Sequence, residues 1–380
     1  MKFTVNTKEF IEGVKSVSKA LGKNVTNLVL AGVYVKAAGA GFSLRCFDLE
    51  TDISVDIVAY DIEEGEILIA DTRTLLRNIA KLPAKSNITI DAQDQDAGRF
   101  YGKLICGNTN IMIALTPTRN YPVARDLEGQ SVWHIRTTAK ALREPLSRVL
   151  VAAGRAGENC CNRPYLSGVC LVSSNEGISL TATDTFRLAT DKQEGEADKQ
   201  EARAIVPSSI LLPLLAKLAK MSDNTEIGIS IGDKIVEFVM EGASYSGRIM
   251  EGRFPDWEPL IPTSHLWMAE VSAEELLAAV ARVRTMLRDE LSAIQYSVIE
   301  GSLSLKGTCP ELGEVTETVK LDLFEGEPPT VKLRALYVAE ALKTMGSAKV
   351  VIEGQENRDP VMFTIEGNNN YKCIVMPISG

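Results

Sequence analysis

The sequence is poor in the residues that most chemistry needs. Only two histidines occur, His134 and His265, which weighs against metal centres and against most general-base catalysis. The seven cysteines (Cys46, Cys106, Cys160, Cys161, Cys170, Cys309 and Cys373) are odd in number and scattered, and no C-x-x-C occurs. Such cysteines are expected to act as small buried hydrophobes rather than as a disulfide frame or a zinc site. No apolar run approaches the roughly 20 residues that span a bilayer. The opening MKFTVNTKEF has no apolar signal core, because Lys8 and Glu9 follow its strand-like start at once. A cytoplasmic protein is the expectation.

Other absences remove whole classes of enzyme. No P-loop is present, so the chain is not expected to hydrolyse nucleotide by itself. Gly39 and Gly41 form a turn with no following helix to complete a dinucleotide site. Asp91, Asp94 and Asp96 look like part of a calcium loop, but the required Gly and distal Glu positions fail. Cys160 and Cys161 could suggest a thiol nucleophile, yet no histidine lies in a recognisable partner motif, and free loop cysteines are the better reading. The sequence thus predicts no catalytic residue, no metal and no cofactor.

What is present is a repeat. The chain has 380 residues, enough for two or three domains, and its 45% hydrophobic and 24% charged composition is that of a globular protein. Three segments pass from a strand-like stretch into a helix with one apolar spacing. Their face residues are Phe10, Val14 and Val17, then Leu142, Leu146 and Val149, then Leu276, Val280 and Val283. Steps of four and three residues put each trio on one helical face. A second helix recurs in the same order as Leu75, Ile79 and Leu82, then Leu211, Leu215 and Leu218, then Val338, Leu342 and Met345.

Between these helices lie alternating strands joined by turn residues, as in GVYVKAAGAGFSLRCF from Gly32, GVCLVSSNEGISLTAT from Gly168 and IQYSVIEGSLSLKG from Ile294. KIVEFVMEGASYSGRIM and VMFTIEGNNNYKCIVM repeat the pattern after the second helices. The predicted fold class is α+β: three tandem domains, 1–128, 129–262 and 263–380, each an antiparallel sheet layer with two helices on one face.

Net charge is −9, from 50 acidic and 41 basic residues, which argues against a protein that grips nucleic acid through bulk charge. The distribution says more. On the arcs opposite the six apolar stripes lie thirteen basic residues: Lys8, Lys15, Lys19, Arg73, Arg77, Lys81, Lys140, Arg143, Arg148, Lys217, Lys220, Arg282 and Lys343. Only six acidic ones share those arcs: Glu9, Glu12, Glu144, Glu274, Glu275 and Glu340. Basic helix faces on an acidic body suggest a surface that meets a polyanion and repels it elsewhere. The third repeat's first helix is the exception.

Two local motifs become recognisable: YLSGVCLV followed by LTATDTFRLA, and EGRFPDWEPLIP from Glu251. With the terminal IVMPISG they resemble the bacterial DNA sliding clamp family, the beta subunit of the replicative DNA polymerase. The resemblance covers the whole chain. It implies three clamp domains per chain and a head-to-tail homodimer closing six domains into a ring around duplex DNA, with helices lining the hole. A ring holds DNA by enclosure and needs only weak, sequence-blind phosphate contacts, which answers the charge objection.

The resemblance also implies a hydrophobic cleft for short linear segments of the replicative polymerase and the clamp loader. Matched by motif, it comprises Leu166, Thr183, Thr185, Phe186, Arg187, Leu188, Pro255, Leu260, Pro360, Val375, Met376, Pro377 and Ile378. The DNA contacts it implies are Lys23, Arg163 and Tyr165, beside the helix-face residues Arg73, Arg77, Lys81 and Lys217. Departures stand out: Phe186 where the family often has His, Thr185 where Gly is usual, Pro259 where a basic residue is familiar, and an ending without a charged or bulky residue. These keep open an alternative, a peptide-binding adaptor of repeated domains that does not encircle DNA.

Overall fold

The computed structural model describes residues 1–21, 28–92, 101–122, 127, 132–155, 163–174, 177–193, 196–197, 201–288, 292–327 and 329–378. Among the described residues six α-helices carry the repeat: α1 (Thr7–Val17), α2 (Thr72–Ile79), α3 (Ala139–Val149), α4 (Ser208–Leu218), α5 (Ala273–Arg284) and α6 (Ala335–Met345). Local chemistry sets several of their ends. The Asn6 carboxamide oxygen accepts the Lys8 and Glu9 amides at 3.0 and 3.4 Å. Asp71 caps α2 through the Thr74 amide at 2.9 Å, and Ser272 caps α5 through the Glu275 amide at 3.4 Å. At the other end of α6, Gly346 turns out of the helix at φ +64°, a conformation glycine adopts at little cost.

The predicted inner faces are buried for α1, α3, α5 and α6. Two positions differ. Leu82 lies beyond the end of α2 and is only half-buried, because it precedes Pro83, whose ring disfavours helical backbone at the residue before it. In α4 the inner trio is Leu211, Leu214 and Leu218, with Leu215 only half-buried. That helix is leucine-rich, so a 3-then-4 spacing fits the helical period as well as 4-then-3 does.

The chain forms two compact units, residues 1–140 with 209–249, and residues 141–208 with 250–380. In the first, antiparallel strands run in the order Trp133–Thr138, Glu226–Ile231, Ile235–Met240, Ala243–Arg248, Thr51–Val58, Gly41–Phe47, Val33–Ala38 and Gly65–Ile69. The order continues through Thr109–Thr116, Tyr101–Cys106, Asn87–Asp91, Lys2–Asn6 and Tyr60–Glu63. A backbone ladder thus joins the first repeat to the middle one, with Ala243 opposite Val55 and Gly247 opposite Thr51. Helix α1 lies hard on this sheet: a β-carbon added at Gly13 would come 2.5 Å from the Ile57 side chain. Beneath it Phe3 stacks on Phe42 with ring centroids 4.3 Å apart.

The second unit repeats the scheme. Its nine-stranded sheet runs Glu201–Pro207, Gly168–Ser174, Gly177–Thr183, Arg187–Gln193, Asn368–Val375, Val361–Ile365, Lys349–Gly354, Trp267–Ser272 and Leu323–Gly326. Here the ladder joins the middle repeat to the third, through Arg187 opposite Val375 and Thr190 opposite Lys372. A four-stranded sheet (Gly313–Lys320, Ser302–Cys309, Ala293–Ile299, Thr330–Arg334) completes the third repeat, whose helices α5 and α6 pack on each other. The expected hairpins form. Ile299 pairs with Ser302 across a two-residue turn with Glu300 at φ +48° and Gly301 at φ +73°, the left-handed pair that matches strand twist.

Candidate peptide cleft and nucleic-acid surface

The turn at 183–187 is built by its own side chains. Thr183 Oγ1 donates to the Arg187 carbonyl at 2.7 Å and accepts the Thr185 amide at 3.1 Å. Asp184 Oδ1 accepts the amides of Phe186 and Arg187 at 2.9 and 3.0 Å. Closing the turn so tightly forces Thr185 to φ +77°, a costly conformation for a β-branched residue and a natural one for glycine. The departure noted in the sequence is therefore a strained one.

From this turn the strand Arg187–Gln193 pairs with Asn368–Val375, Arg187 opposite Val375 and Leu188 opposite Ile374. Val375 also faces Val361, next to Pro360. The chain then leaves as Met376, whose amide donates to the Phe186 carbonyl at 2.9 Å, and Ile378, whose amide donates to the Lys332 carbonyl at 2.8 Å. One sheet end thus gathers most of the predicted cleft. Thr183, Arg187, Leu188 and Val375 are buried, Phe186, Pro360, Pro377 and Ile378 half-buried, and Thr185 and Met376 exposed.

The remaining three belong to neighbouring loops. Leu166 is buried, and Tyr165 beside it packs on a cluster of Cys170, Ile205 and Phe254 together with Trp257. Phe254 so anchors the segment that holds Pro255, half-buried, and Leu260, an apolar side chain 56% exposed. Beside Leu260 a cavity of about 510 Å³ opens, lined in part by Glu258, His265, Glu353, Met362 and Lys372. His265 Nδ1 stands 2.9 Å from Glu353 there. No local pattern marks this cavity in the sequence, because its walls come from three separate stretches.

Electrostatics around the turn centre on α6. The Arg187 guanidinium is buried, bonds Asp184 at 3.0 Å and Glu340 at 2.5 Å, and lies 4.2 Å from the centroid of the Tyr337 ring. Glu340 also holds Arg155 at 3.0 Å. Desolvation pushes the Tyr337 hydroxyl up, with the Asp184 charge adding to it. Tyr337, Glu340 and Arg334 were missed by sequence reasoning. They lie some 150 residues beyond the turn they complete, and no local motif marks them.

The predicted nucleic-acid residues are placed unevenly. Arg73 and Arg77 on α2 and Lys81 just past its end are exposed, and Lys217 on α4 is half-exposed. Arg163 is exposed in its loop, whereas the Tyr165 ring is partly spent on packing. Lys23, Cys160, Cys161, Asp94 and Asp96 lie outside the described residues. Among the described residues, three of the basic face residues pair with carboxylates. Arg148 holds the buried Asp191 at 2.8 Å, and Arg282 holds Glu317 at 2.9 Å. Lys220 lies 3.6 Å from Glu12. Lys8, Lys15 and Lys19 on and just past α1 are exposed like the cations of α2.

Among the described residues no group of three His, Cys, Asp or Glu side chains could hold a metal, and no helix is long and apolar enough to cross a membrane. The described cysteines are buried and unpaired. Burial pushes the Cys373 thiol up to about 11, which leaves it a poor nucleophile.

Comparison with known proteins places these features in one family. Three family models match in tandem: the DNA polymerase III beta subunit N-terminal domain over residues 1–125, its central domain over 137–256 and its C-terminal domain over 258–379. The chain is 26% identical to the beta sliding clamp of Staphylococcus aureus over 389 residues, covering 100% of this chain and 99% of that protein. It is 25% identical to the beta sliding clamp of Bacillus subtilis over 390 residues, with the same coverage. Among solved structures, the sliding clamp of Bacillus subtilis superimposes with a TM-score of 0.87 at 22% identity, covering 100% of this chain and 99% of that one. A sliding clamp of Pseudomonas aeruginosa bound to griselimycin does so with a TM-score of 0.89 at 21% identity, over 100% of both chains. Matched from end to end by the three domains in their order, the chain belongs to the DNA polymerase III beta subunit family, the sliding clamps.

Proposed function

We propose that this chain is a DNA sliding clamp, a processivity factor that encircles duplex DNA and tethers a replicative polymerase. Its three domains, divided at 1–128, 129–262 and 263–380, close with those of a second copy into a ring. The observation that carries this reading is the tandem match of all three family domains to one chain. In the ring, Arg73, Arg77, Lys81 and Lys217, with Lys23 and Arg163, touch phosphates without reading bases. Tyr165 adds an aromatic contact to the DNA beside Arg163. The turn at Thr183–Leu188, the tail Val375–Ile378, Leu166, Pro255, Leu260 and Pro360 form the cleft that takes short apolar segments of the polymerase and the clamp loader, a few anchors supplying most of the affinity. The chain works in the cytoplasm, catalyses nothing itself and needs no cofactor.

The test is topological. The protein, loaded by its cognate loader, should stay on nicked circular DNA through gel filtration and leave when the circle is cut. Retention on linear DNA would sink the enclosure reading and favour a non-encircling adaptor, for which a stable monomer in solution would be the second sign.

A further inference from the structure

Among the described residues Arg334 stands beside the cleft turn without a carboxylate partner. It is the last residue of the strand Thr330–Arg334 and the cap of α6, and its side chain makes no capping hydrogen bond. Its guanidinium carbon lies 4.2 Å from the centroid of the Phe186 ring and 5.2 Å from that of Tyr337, and Nη1 donates to the Tyr337 hydroxyl at 2.8 Å. Among the described residues it forms no ion pair. Its neighbour Arg187 shares the Tyr337 ring but is neutralised by both Asp184 and Glu340.

A guanidinium laid on an aromatic face is held in place while its edge N–H groups still point outward to a planar acceptor. At the start of α6 the charge adds to the positive end of the helix, so the helix does not offset it. Two residues earlier, on the same side of the strand, Lys332 is exposed, and its carbonyl holds the Ile378 amide of the cleft tail. The apolar anchors at Met376 and Phe186 are thus bordered by two cations, Arg334 and Lys332, that form no ion pair among the described residues.

We propose that Arg334, seated on Phe186, is a specificity-determining residue of the cleft, selecting docking segments that carry a carboxylate beside their apolar anchors. This rests on the cleft being a peptide site. A planar carboxylate meets the guanidinium edge in the fork geometry that lysine cannot offer. Phe186 is the platform that fixes the fork, so the aromatic residue at this position and the arginine at 334 act as one unit.

The experiment uses the full-length protein and an array of decapeptides tiling the host's replicative polymerase. The strongest binder is resynthesised with each Asp and Glu replaced by Asn or Gln, and affinities are measured against wild type, Arg334→Gln, Arg334→Lys and Leu260→Ala. One acidic residue of that peptide should matter, its neutralisation weakening binding to wild type about tenfold, as expected for a hydrogen-bonded charge. The same replacement should cost nothing in Arg334→Gln, Arg334→Lys should fall between, and the neutral peptide should bind wild type and Arg334→Gln alike. That last equality separates recognition from a merely structural loss. Equal cost of neutralisation in wild type and Arg334→Gln, or no cost in either, overturns the proposal while binding still depends on Leu260. If no peptide binds, or Leu260→Ala changes nothing, the peptide-cleft reading fails and the proposal falls with it.

Discussion

The guanidinium of Arg148 on α3 lies 2.8 Å from a carboxylate oxygen of Asp191, whose side chain is wholly buried. Burial raises the Asp191 carboxyl above its ordinary value of 3.8, with Arg148 and Gln193 pulling the other way. A carboxyl raised in the folded state contributes stability below 3.8 and loses it as pH climbs through the folded value. Removing the cation raises that value further. Arg148→Met should therefore destabilise by about 3 kcal/mol at neutral pH and distinctly less in mild acid, where Asp191 can take up a proton. Urea melts at the two pH values decide it, and a pH-independent loss would mean that Arg148 matters only for its packing.

Thr185 offers the opposite case, a position where a change should help. Its φ of +77° is held by hydrogen bonds that glycine would keep, since they use the backbone amides and the side chains of Thr183 and Asp184. Thr185→Gly should raise stability by about 1 kcal/mol by relieving the left-handed strain of a β-branched residue. A lower unfolding midpoint would show that the turn is not strained in solution.

The cleft anchors can be separated from the fold because they are exposed. Leu260→Ala and Met376→Ala should each leave the melting temperature nearly unchanged and weaken a polymerase-derived peptide by about 2 kcal/mol, the range of a central anchor. Fluorescence anisotropy with a labelled peptide measures it. Unaltered affinity in both variants would place the docking site elsewhere.

The exposed charges on and just past α2 should serve DNA and leave the cleft alone. Reversing Arg73, Arg77 and Lys81 to Glu should weaken association with DNA and flatten its salt dependence, by up to about 0.9 in slope for each phosphate no longer neutralised. Peptide affinity should not move. Equal loss of both activities would mean that these residues serve the fold.

The repeat was legible in the sequence because helical spacing recurs at matched offsets, and the hairpins were legible because Gly and Asn-Glu-Gly turns punctuate alternating strands. The cleft was legible only through motifs. Thr183, Asp184 and Arg187 form a turn from nearby residues, which a local pattern can carry, whereas Arg334, Tyr337 and Glu340 reach that turn only through the fold. Charge was legible by sign but not by partner. Arg148 and Arg282 look like outward cations on a helical wheel, and no wheel reveals that Asp191 or Glu317 waits on a neighbouring strand.

The strand ladders that run from one repeat into the next carry a consequence for how such a chain changes over time. Ala243 to Val55 and Arg187 to Val375 are joined through peptide groups, and peptide groups are the same whatever side chains they bear. The hydrogen bonds of such a joint do not depend on which side chains flank them. Side chains at these seams can change without breaking the ladder except where they carry other contacts, as Arg187 does with Asp184 and Glu340, whereas a seam made of interlocking side chains would demand paired changes. Conservation of shape at about one residue in four identical, as between this chain and its relatives, is what inheritance through the backbone looks like.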